Sequence, residues 1–417
     1  MSLGSPRALR TCMNVRFAVV LFAAVVGAGF FWINYLPQPS RLVWLDRIHA
    51  LPIFNTRAIR YRDLKILLAG IECDRAGMNV WETCPCGAES LGFKNVPFNY
   101  PEAVLWLGRA IPVRLSAGDG DWLGPTLVVG FLLALSFTFN GTTSWQAAYF
   151  CALIASPPVL LGIERANYDL VLYCLLFLNI SLLDRLSQAA SYAVTFGLGM
   201  LKLYPIGAVF GIVRRARASR LLFWLTVAAE VLFVILSFNN LRLVAKTTPQ
   251  TYERSFGYPV IFFILSRRFS ALAWVTKIML PILVSTLVTL AYYARRPRKY
   301  WSDIINAGDR KHRSLFISGG AIYCVCFAIG TNFDYRCVFL LFTVPYLLSM
   351  LCVSGSQMRV AGLMLVTLFC VFWLGAIEGR ASLIFLRAGL TWLLFIFFAY
   401  VCLTASLDSL LEKHGTQ

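Results

Sequence analysis

Apolar runs of about 17–25 residues recur along the whole chain, each long enough to span a bilayer. Lipid offers the backbone no hydrogen-bond partner, so each run must satisfy its own N–H and C=O groups, which predicts helices. The pattern places segments at about 17–36, 123–139, 145–162, 168–183, 221–238, 270–293, 314–330, 336–352, 358–375 and 383–404. A short apolar piece, 260–265, precedes the run at 270. One more apolar stretch, 189–213, is interrupted by "LKLYP" at 201–205. A Pro close behind a charged Lys predicts a broken helix or re-entrant hairpin, which is tolerated only where it is buried in protein or lines a cavity. The expected fold class is an all-α polytopic membrane protein. It has about eleven membrane segments, this hairpin included, in a single integral membrane domain over 1–417.

Between the first two runs lies a long loop, 37–122. Its stretches 41–54, 60–72 and 102–115 combine apolar faces with Arg and Lys, the pattern of helices lying at the membrane interface. The intervening 77–101 is rich in Gly, Pro, Cys and Asn, which is turn chemistry.

Composition agrees. Of 417 residues, 59% are apolar and 14% charged, where a soluble chain carries about a quarter charged. The mean hydropathy is +0.69. The first run has a basic flank (Arg7, Arg10, Arg16) and no small-residue cleavage site, so it is expected to be retained as a helix. A net charge of +18 in a soluble protein would suggest nucleic acid. Here the charges cluster at helix ends, so membrane lipids with anionic headgroups are the expected partners and nucleic acid is not.

Basic loops mark the cytoplasmic side of a membrane. "RRARASR" (214–220), "ARRPRKY" (294–300), "DRKHR" (309–313) and the N-terminus are the markers. Counting from them puts both termini in the cytoplasm. It also puts the long loop, "GIERANYDL" (162–170) and "GTNFDYRC" (330–337) together on the outer face. Lys202 reaches the same face if the hairpin points outward.

Those motifs carry the candidate chemistry. In "ERANYD", Asn167 and Asp169 can be read as a helix cap and a first-turn acid. Arg165 is unfavourable near a helix N-terminus unless an anion partners it. In "TNFDYR", Asp334 can cap a helix or pair with Arg336, and Arg336 can pair with Glu164. Two such motifs on one face, with an Arg in each, point to a bound anion, because the guanidinium fork suits phosphate. Lys202, deep in an apolar stretch, either snorkels to the interface or serves a site.

Nine of the twelve cysteines lie in or beside apolar runs, where they pack as small apolar groups. Cys73, Cys84 and Cys86 share the long loop. Pairing of Cys73 with Cys84 or Cys86 is expected in an oxidising compartment. The Cys84–Cys86 spacing has no His or fourth ligand nearby, and His49, His312 and His414 are scattered, so neither metal nor cofactor is expected. The long loop also holds Asp46, Asp63, Glu72, Asp74, Glu82 and Glu102, none distinguished by spacing.

The order of elements is more specific. "YRDLKILLAGIECDRAGMNVWE…FNYP", "ERANYDLVLYCLL", "LKLYP" and "TNFDYRCVFLLFTVPYLL" follow one another over about residues 60–350. This order resembles the C-type polytopic glycosyltransferases, in particular glycosyltransferase family 87, the bacterial polyprenol-phosphate-mannose-dependent α-mannosyltransferases, and relatives. The resemblance implies a polyprenyl-phosphate sugar donor used at the outer face of a bacterial inner membrane. It implies inverting transfer of mannose, or another hexose or pentose, to a glycan or glycolipid acceptor. It also implies a catalytic base in the first outer loop. The matching position is Asp63, with Asp46 and Asp74 open as alternatives. Arg165, Lys202 and Arg336, with Glu164, Asp169, Asp334 and Tyr335 around them, are then the expected substrate-binding residues, Arg336 on the donor phosphate and Asp334 orienting it. Cationic side chains can stabilise a leaving monophosphate without a metal. A different class also suits intramembrane charges and a broken helix, namely a transporter or flippase for an anionic lipid or solute.

Overall fold

The computed structural model describes residues 6–35, 60–82, 98–214, 216–248, 255–272, 274–295, 309–353, 355–375 and 381–411. Two expected features, the interfacial stretch 41–54 and most of the marker 294–300, lie outside them.

The described residues are mostly helical, and the chain is an integral membrane protein. Seven described helices are long and apolar enough to cross a bilayer. They are α1 (Pro6–Tyr35), α4 (Gly120–Thr138), α10 (Arg217–Leu236), α13 (Val275–Ala294), α14 (Arg310–Ile329), α16 (Ser356–Leu374) and α17 (Ala381–Leu411). The run at 145–162 is split into α5 (Ser144–Ile154) and α6 (Pro157–Arg165), bent by 53°. The cause is Pro157–Pro158. Ser156 is extended, as a residue before Pro prefers, and Pro157 opens a new helix where its missing N–H costs nothing. Counted as one span, the pair brings the total to eight.

The other three expected segments take different forms. The run at 168–183 is the 13-residue α7 (Asp169–Ser181). The run at 336–352, expected as one helix, is a 3₁₀ helix (Asp334–Phe342) followed by α15 (Val344–Met350). Pro345 has no N–H to give the carbonyl of Leu341, which removes one i→i−4 bond where the 3₁₀ helix meets α15. Nearly every residue in this segment is buried, so its apolar run is protein core.

The stretch 189–213 is a hairpin broken at the expected place. α8 (Gln188–Leu201) ends where Lys202 becomes extended, and a 3₁₀ turn (Tyr204–Ala208) leads into α9 (Val209–Ile212). The two limbs return to one level. Arg214 Nη2 donates to the Leu183 carbonyl at 2.8 Å, and the Tyr192 hydroxyl meets Ser219 Oγ at 3.0 Å. Lys202 therefore sits at the tip. The return limb presses on α14 through glycines: a Cβ on Gly207 would stand 2.6 Å from the Ile322 nitrogen.

The long loop is packed more tightly than an interfacial reading suggests. The stretch 60–72 forms α2 (Arg62–Arg75), which buries Leu64, Leu67, Leu68 and even Lys65, whose ammonium reaches Asp121 at 2.9 Å. The stretch 102–115 is helical only as α3 (Glu102–Ala110); Ile111, extended ahead of Pro112, ends it. The remaining elements are α11 (Phe238–Thr247), α12 (Tyr258–Arg268), two 3₁₀ turns (Ala117–Asp119 and Ser270–Leu272) and a two-stranded antiparallel ribbon. In that ribbon β1 (Ser255–Phe256) pairs with β2 (Asn332–Phe333), Ser255 opposite Phe333. It ties the 255 region to the 330 loop. Asn240 Oδ1, accepting the Glu102 N–H at 3.1 Å, ties α11 to α3. The loops grouped by charge in the sequence thus meet at one end of the molecule, and Arg214 and Arg310 meet at the other through Asp184.

Candidate functional site

Two short connections shape the site. α6 ends at Arg165, where a basic side chain complements the C-terminal end of the helix dipole, so Arg165 closes one helix and does not open the next. Ala166 then takes a left-handed conformation, φ 43°, and α7 begins at Asp169. Tyr61, φ 52°, precedes α2 in the same way. Among the described residues these are the two non-glycine positions with positive φ. Such backbone is costly for side-chain-bearing residues and gathers at functional sites.

Both kinks aim side chains at Asp63, in the first turn of α2. Asn167 Nδ2 donates to Asp63 Oδ2 at 2.6 Å, and Arg165 Nη1 lies 3.7 Å from Asp63 Oδ1. The Asn167 amide cannot turn over freely, because its Oδ1 accepts the Asp169 N–H at 2.9 Å. Asn167 therefore accepts from the first backbone N–H of α7 and ties that helix start to the Asp63 carboxylate.

Asp169 is 1% exposed. Lys202, at the hairpin tip, and the Tyr204 hydroxyl both donate to its Oδ1. Its Oδ2 accepts no hydrogen bond and faces Arg336 Nε at 3.9 Å. Arg336 is held from behind, Nη1 donating to Asn332 Oδ1, and its own Nε has no hydrogen-bond partner. Rings surround the cations: Lys202 Nζ is 5.4 Å from the Tyr100 centroid and 5.7 Å from those of Tyr168 and Tyr204, and Arg336 lies 5.2 Å from Tyr204. Cation–π attraction offsets part of the desolvation of these charges. Burial, reinforced by the Asp63 carboxylate, pushes the Tyr100 phenol well above its ordinary range, so it remains a neutral donor.

Lys202 and Arg336 form the polar head of a cavity of about 380 Å³. Tyr100, Tyr204 and Asn332 line it beside them, and Leu241, Val244, Phe263 and Met279 from α11, α12 and α13 form its apolar wall. Asp63 does not line this cavity. Its carboxylate is close enough to act on Tyr100, Tyr335 and Lys202 electrostatically. The arrangement can hold an anion at the cations and an apolar chain along the helices, with a carboxylate nearby to take a proton.

Of the residues singled out in the sequence, Asp63, Glu164, Arg165, Asp169, Lys202, Tyr335 and Arg336 come together. Glu164 is the electrostatic neighbour of Arg62 and Arg165, and Tyr335 stacks on Phe333 at 5.6 Å. Asp334 is a correction. It is ion-paired with Arg387 of α17, whose Nε also donates to the Val371 carbonyl at 3.2 Å. Arg336 meets Asp169 and Asn332 in place of Asp334 or Glu164. Asp334 braces the last helix, because in a 3₁₀ turn residues two apart point to different sides. Asp74 is gripped by Arg109 through two 2.7 Å hydrogen bonds, which engage both its oxygens. Asp46 lies outside the described residues. Cys73 is disulfide-bonded; every other cysteine whose side chain is described is free, so its partner lies outside, where Cys84 and Cys86 also fall. Among the described residues no group of three His, Cys, Asp or Glu is placed to hold a metal ion.

Sequence reasoning gave no site role to Tyr100, Tyr204, Asn332 or Arg387. Arg387 had a visible signal, an Arg inside the last apolar run, where charge is costly and must be partnered. Compared with models of known families, with curated proteins and with solved structures, the chain matches none.

Proposed function

We propose that the protein is a membrane glycosyltransferase that moves a sugar from a polyprenyl-phosphate donor to a glycan or glycolipid acceptor at the outer face of the membrane. The observation that carries this reading is the cavity with one buried and one part-buried cation, Lys202 and Arg336, at its head and lipid-like walls. Lys202 and Arg336 receive the phosphate; the α11–α13 wall receives the prenyl chain. Asp63 acts as the base. The acceptor hydroxyl oxygen bonds to the anomeric carbon and gives its proton to the Asp63 carboxylate. The bond from that carbon to the phosphate oxygen breaks, its electron pair staying on the phosphate, where Lys202 and Arg336 stabilise the charge. Attack from the face opposite the leaving group inverts the anomeric centre. Asn167 and Arg165 hold Asp63 in place. The bent pair, α7, the hairpin and the 334–350 segment complete about eleven membrane segments, with both termini in the cytoplasm.

The test is transfer by purified protein in liposomes supplied with radiolabelled polyprenyl-phosphate sugars and a membrane-lipid extract as acceptor. Labelled glycan or glycolipid is the expected product. Movement of intact donor across the bilayer without any transfer would replace this reading with that of a lipid transporter.

A further inference from the structure

A second buried acid lies apart from the cavity. Glu230 stands thirteen residues on from Arg217, about 20 Å along the membrane-spanning α10. It is 6% exposed, and neither carboxyl oxygen has a hydrogen-bond partner. The carboxyl is pressed on the backbone of α8. A Cβ on Gly199 would stand 2.7 Å from Glu230 Oε2 and 2.9 Å from Oε1.

The acid closes a polar seam. α8 and α10 run side by side from the base of the hairpin, where the Tyr192 hydroxyl meets Ser219 Oγ at 3.0 Å, to Gly199 and Glu230. Tyr192, Thr195 and Gly199 fall on one face of α8, and Ser219, Thr226 and Glu230 on one face of α10. Asn179 of α7 joins from the side, its Nδ2 donating to Thr195 Oγ1 at 3.1 Å. Asn179 Oδ1 and Ser191 Oγ are buried without hydrogen-bond partners. Hydroxyls accompany the acid on its base side, with Phe223 among them, while the next buried residue of α10 toward the tip is the apolar Phe233.

No described charge neutralises Glu230. On α8 the titratable side chain is Tyr192, engaged with Ser219, and Lys202, one turn beyond Gly199, is held by Asp169. On α11 Arg242 and Lys246 are exposed. At the start of α10 Arg217 is exposed, and Arg220 donates to the Leu410 carbonyl at 3.1 Å. Thr195 and Thr226, each one turn nearer the base, give their hydroxyl protons to the Ser191 and Leu222 carbonyls. The seam therefore offers a carboxylate neither donor nor cation, and an acid buried that way keeps its proton.

We propose that Glu230 is a buried proton-binding site, filled at neutral pH, whose proton exchanges with the base of the hairpin along the hydroxyl seam between α8 and α10. The site uses none of Asp63, Lys202 or Arg336 and stands apart from the donor reading.

The test is infrared spectroscopy of the full-length protein in phosphatidylcholine liposomes, read at the C=O stretch of a protonated carboxyl. Wild type is expected to show such a band at neutral pH, and Glu230→Gln to lack it. Glu230→Asp keeps an acid and should displace the band, so the assignment survives a Glu230→Gln protein that does not fold. In heavy water the band moves as the proton exchanges. Replacing both hydroxyls, Thr195→Val with Thr226→Val, should slow that exchange severalfold while the band itself remains. A protonated-carboxyl band that neither Glu230 variant alters means that Glu230 is ionised, and overturns the site. A Glu230 band that exchanges as fast without the two hydroxyls makes them packing contacts between helices, and overturns the path.

Discussion

The hairpin of residues 188–213 has a charged cluster at each end, and in each an aspartate faces two cations. At its base Asp184 meets Arg310 at 2.9 Å and Arg214 at 3.9 Å. At its tip Asp169 meets Lys202, Tyr204 and Arg336. The difference is water. The Asp184 side chain is 76% exposed and that of Asp169 1%. Exposed pairs are worth about 0–1 kcal/mol and are screened by salt. Buried charges lose several kcal/mol of hydration each and are kept only where their mutual attraction, or a ligand, returns it. At the base, charges that keep their water cost little. At the tip, charge has been taken out of water, with Asp169 Oδ2 and Arg336 Nε left without hydrogen-bond partners. The guanidinium N–H left over can still donate to an anion, whereas the carboxylate oxygen can only accept.

The largest effect expected at the tip is on chemistry. Asp63→Asn removes the base while keeping a similar shape beside Asn167 and Arg165. Transfer is expected to fall by roughly 10²–10⁴-fold, the usual contribution of a general base, with the protein still folded and still binding donor. Near-normal turnover of the purified variant would place the base elsewhere and make Asp46 the next candidate.

Next comes a buried pair that the sequence merged with the site. Asp334 and Arg336 are two residues apart, yet Asp334 serves α17 and Arg336 serves the cavity. Asp334→Asn leaves Arg387 buried beside a neutral partner. Stability should drop by about 3–5 kcal/mol, as for breaking one side of a buried pair, read as thermal unfolding in detergent. Replacing both, Asp334→Leu with Arg387→Met, should recover most of it. A stable Asp334→Asn protein that fails to bind donor would return Asp334 to the site.

Arg336→Ala should do the reverse. Donor affinity is expected to fall roughly tenfold to a hundredfold, the size of a lost charge-assisted contact of about 1.5–3 kcal/mol. Arg336→Lys should restore only part, because a point charge does not replace a fork gripping two oxygens. Equilibrium binding of a labelled donor across the three proteins decides it, and equal affinity in all three would detach Arg336 from the phosphate.

Much of this was legible in the chain. Run length fixed the helical class, and "LKLYP" located the break at Lys202, because Pro and an uncompensated charge are local signals. Charge bias gathered the right loops at one end, as β1–β2 and the Asn167–Asp63 contact show. Partner choice was not legible. Nothing local says that Asp334 turns toward Arg387, 53 positions later, or that Asp74 is already taken by Arg109. Nor does an apolar run say whether it meets lipid or protein. Residues 334–350 read as a span and are packed into the core, as a 3₁₀ helix followed by a short α-helix.

The smallest effect belongs to the base. Asp184→Asn removes the one carboxylate that Arg214 and Arg310 share. Both arginines keep water, and Arg214 keeps its hydrogen bond to the Leu183 carbonyl at 2.8 Å, so no charge is left stranded. Stability should change by no more than about 1 kcal/mol, and that difference should shrink further between low and physiological salt. Donor binding and turnover should stay at the wild-type level. A loss of several kcal/mol that persists in high salt would mean that the base is as shielded as the tip, and exposure would no longer explain why the two ends behave differently.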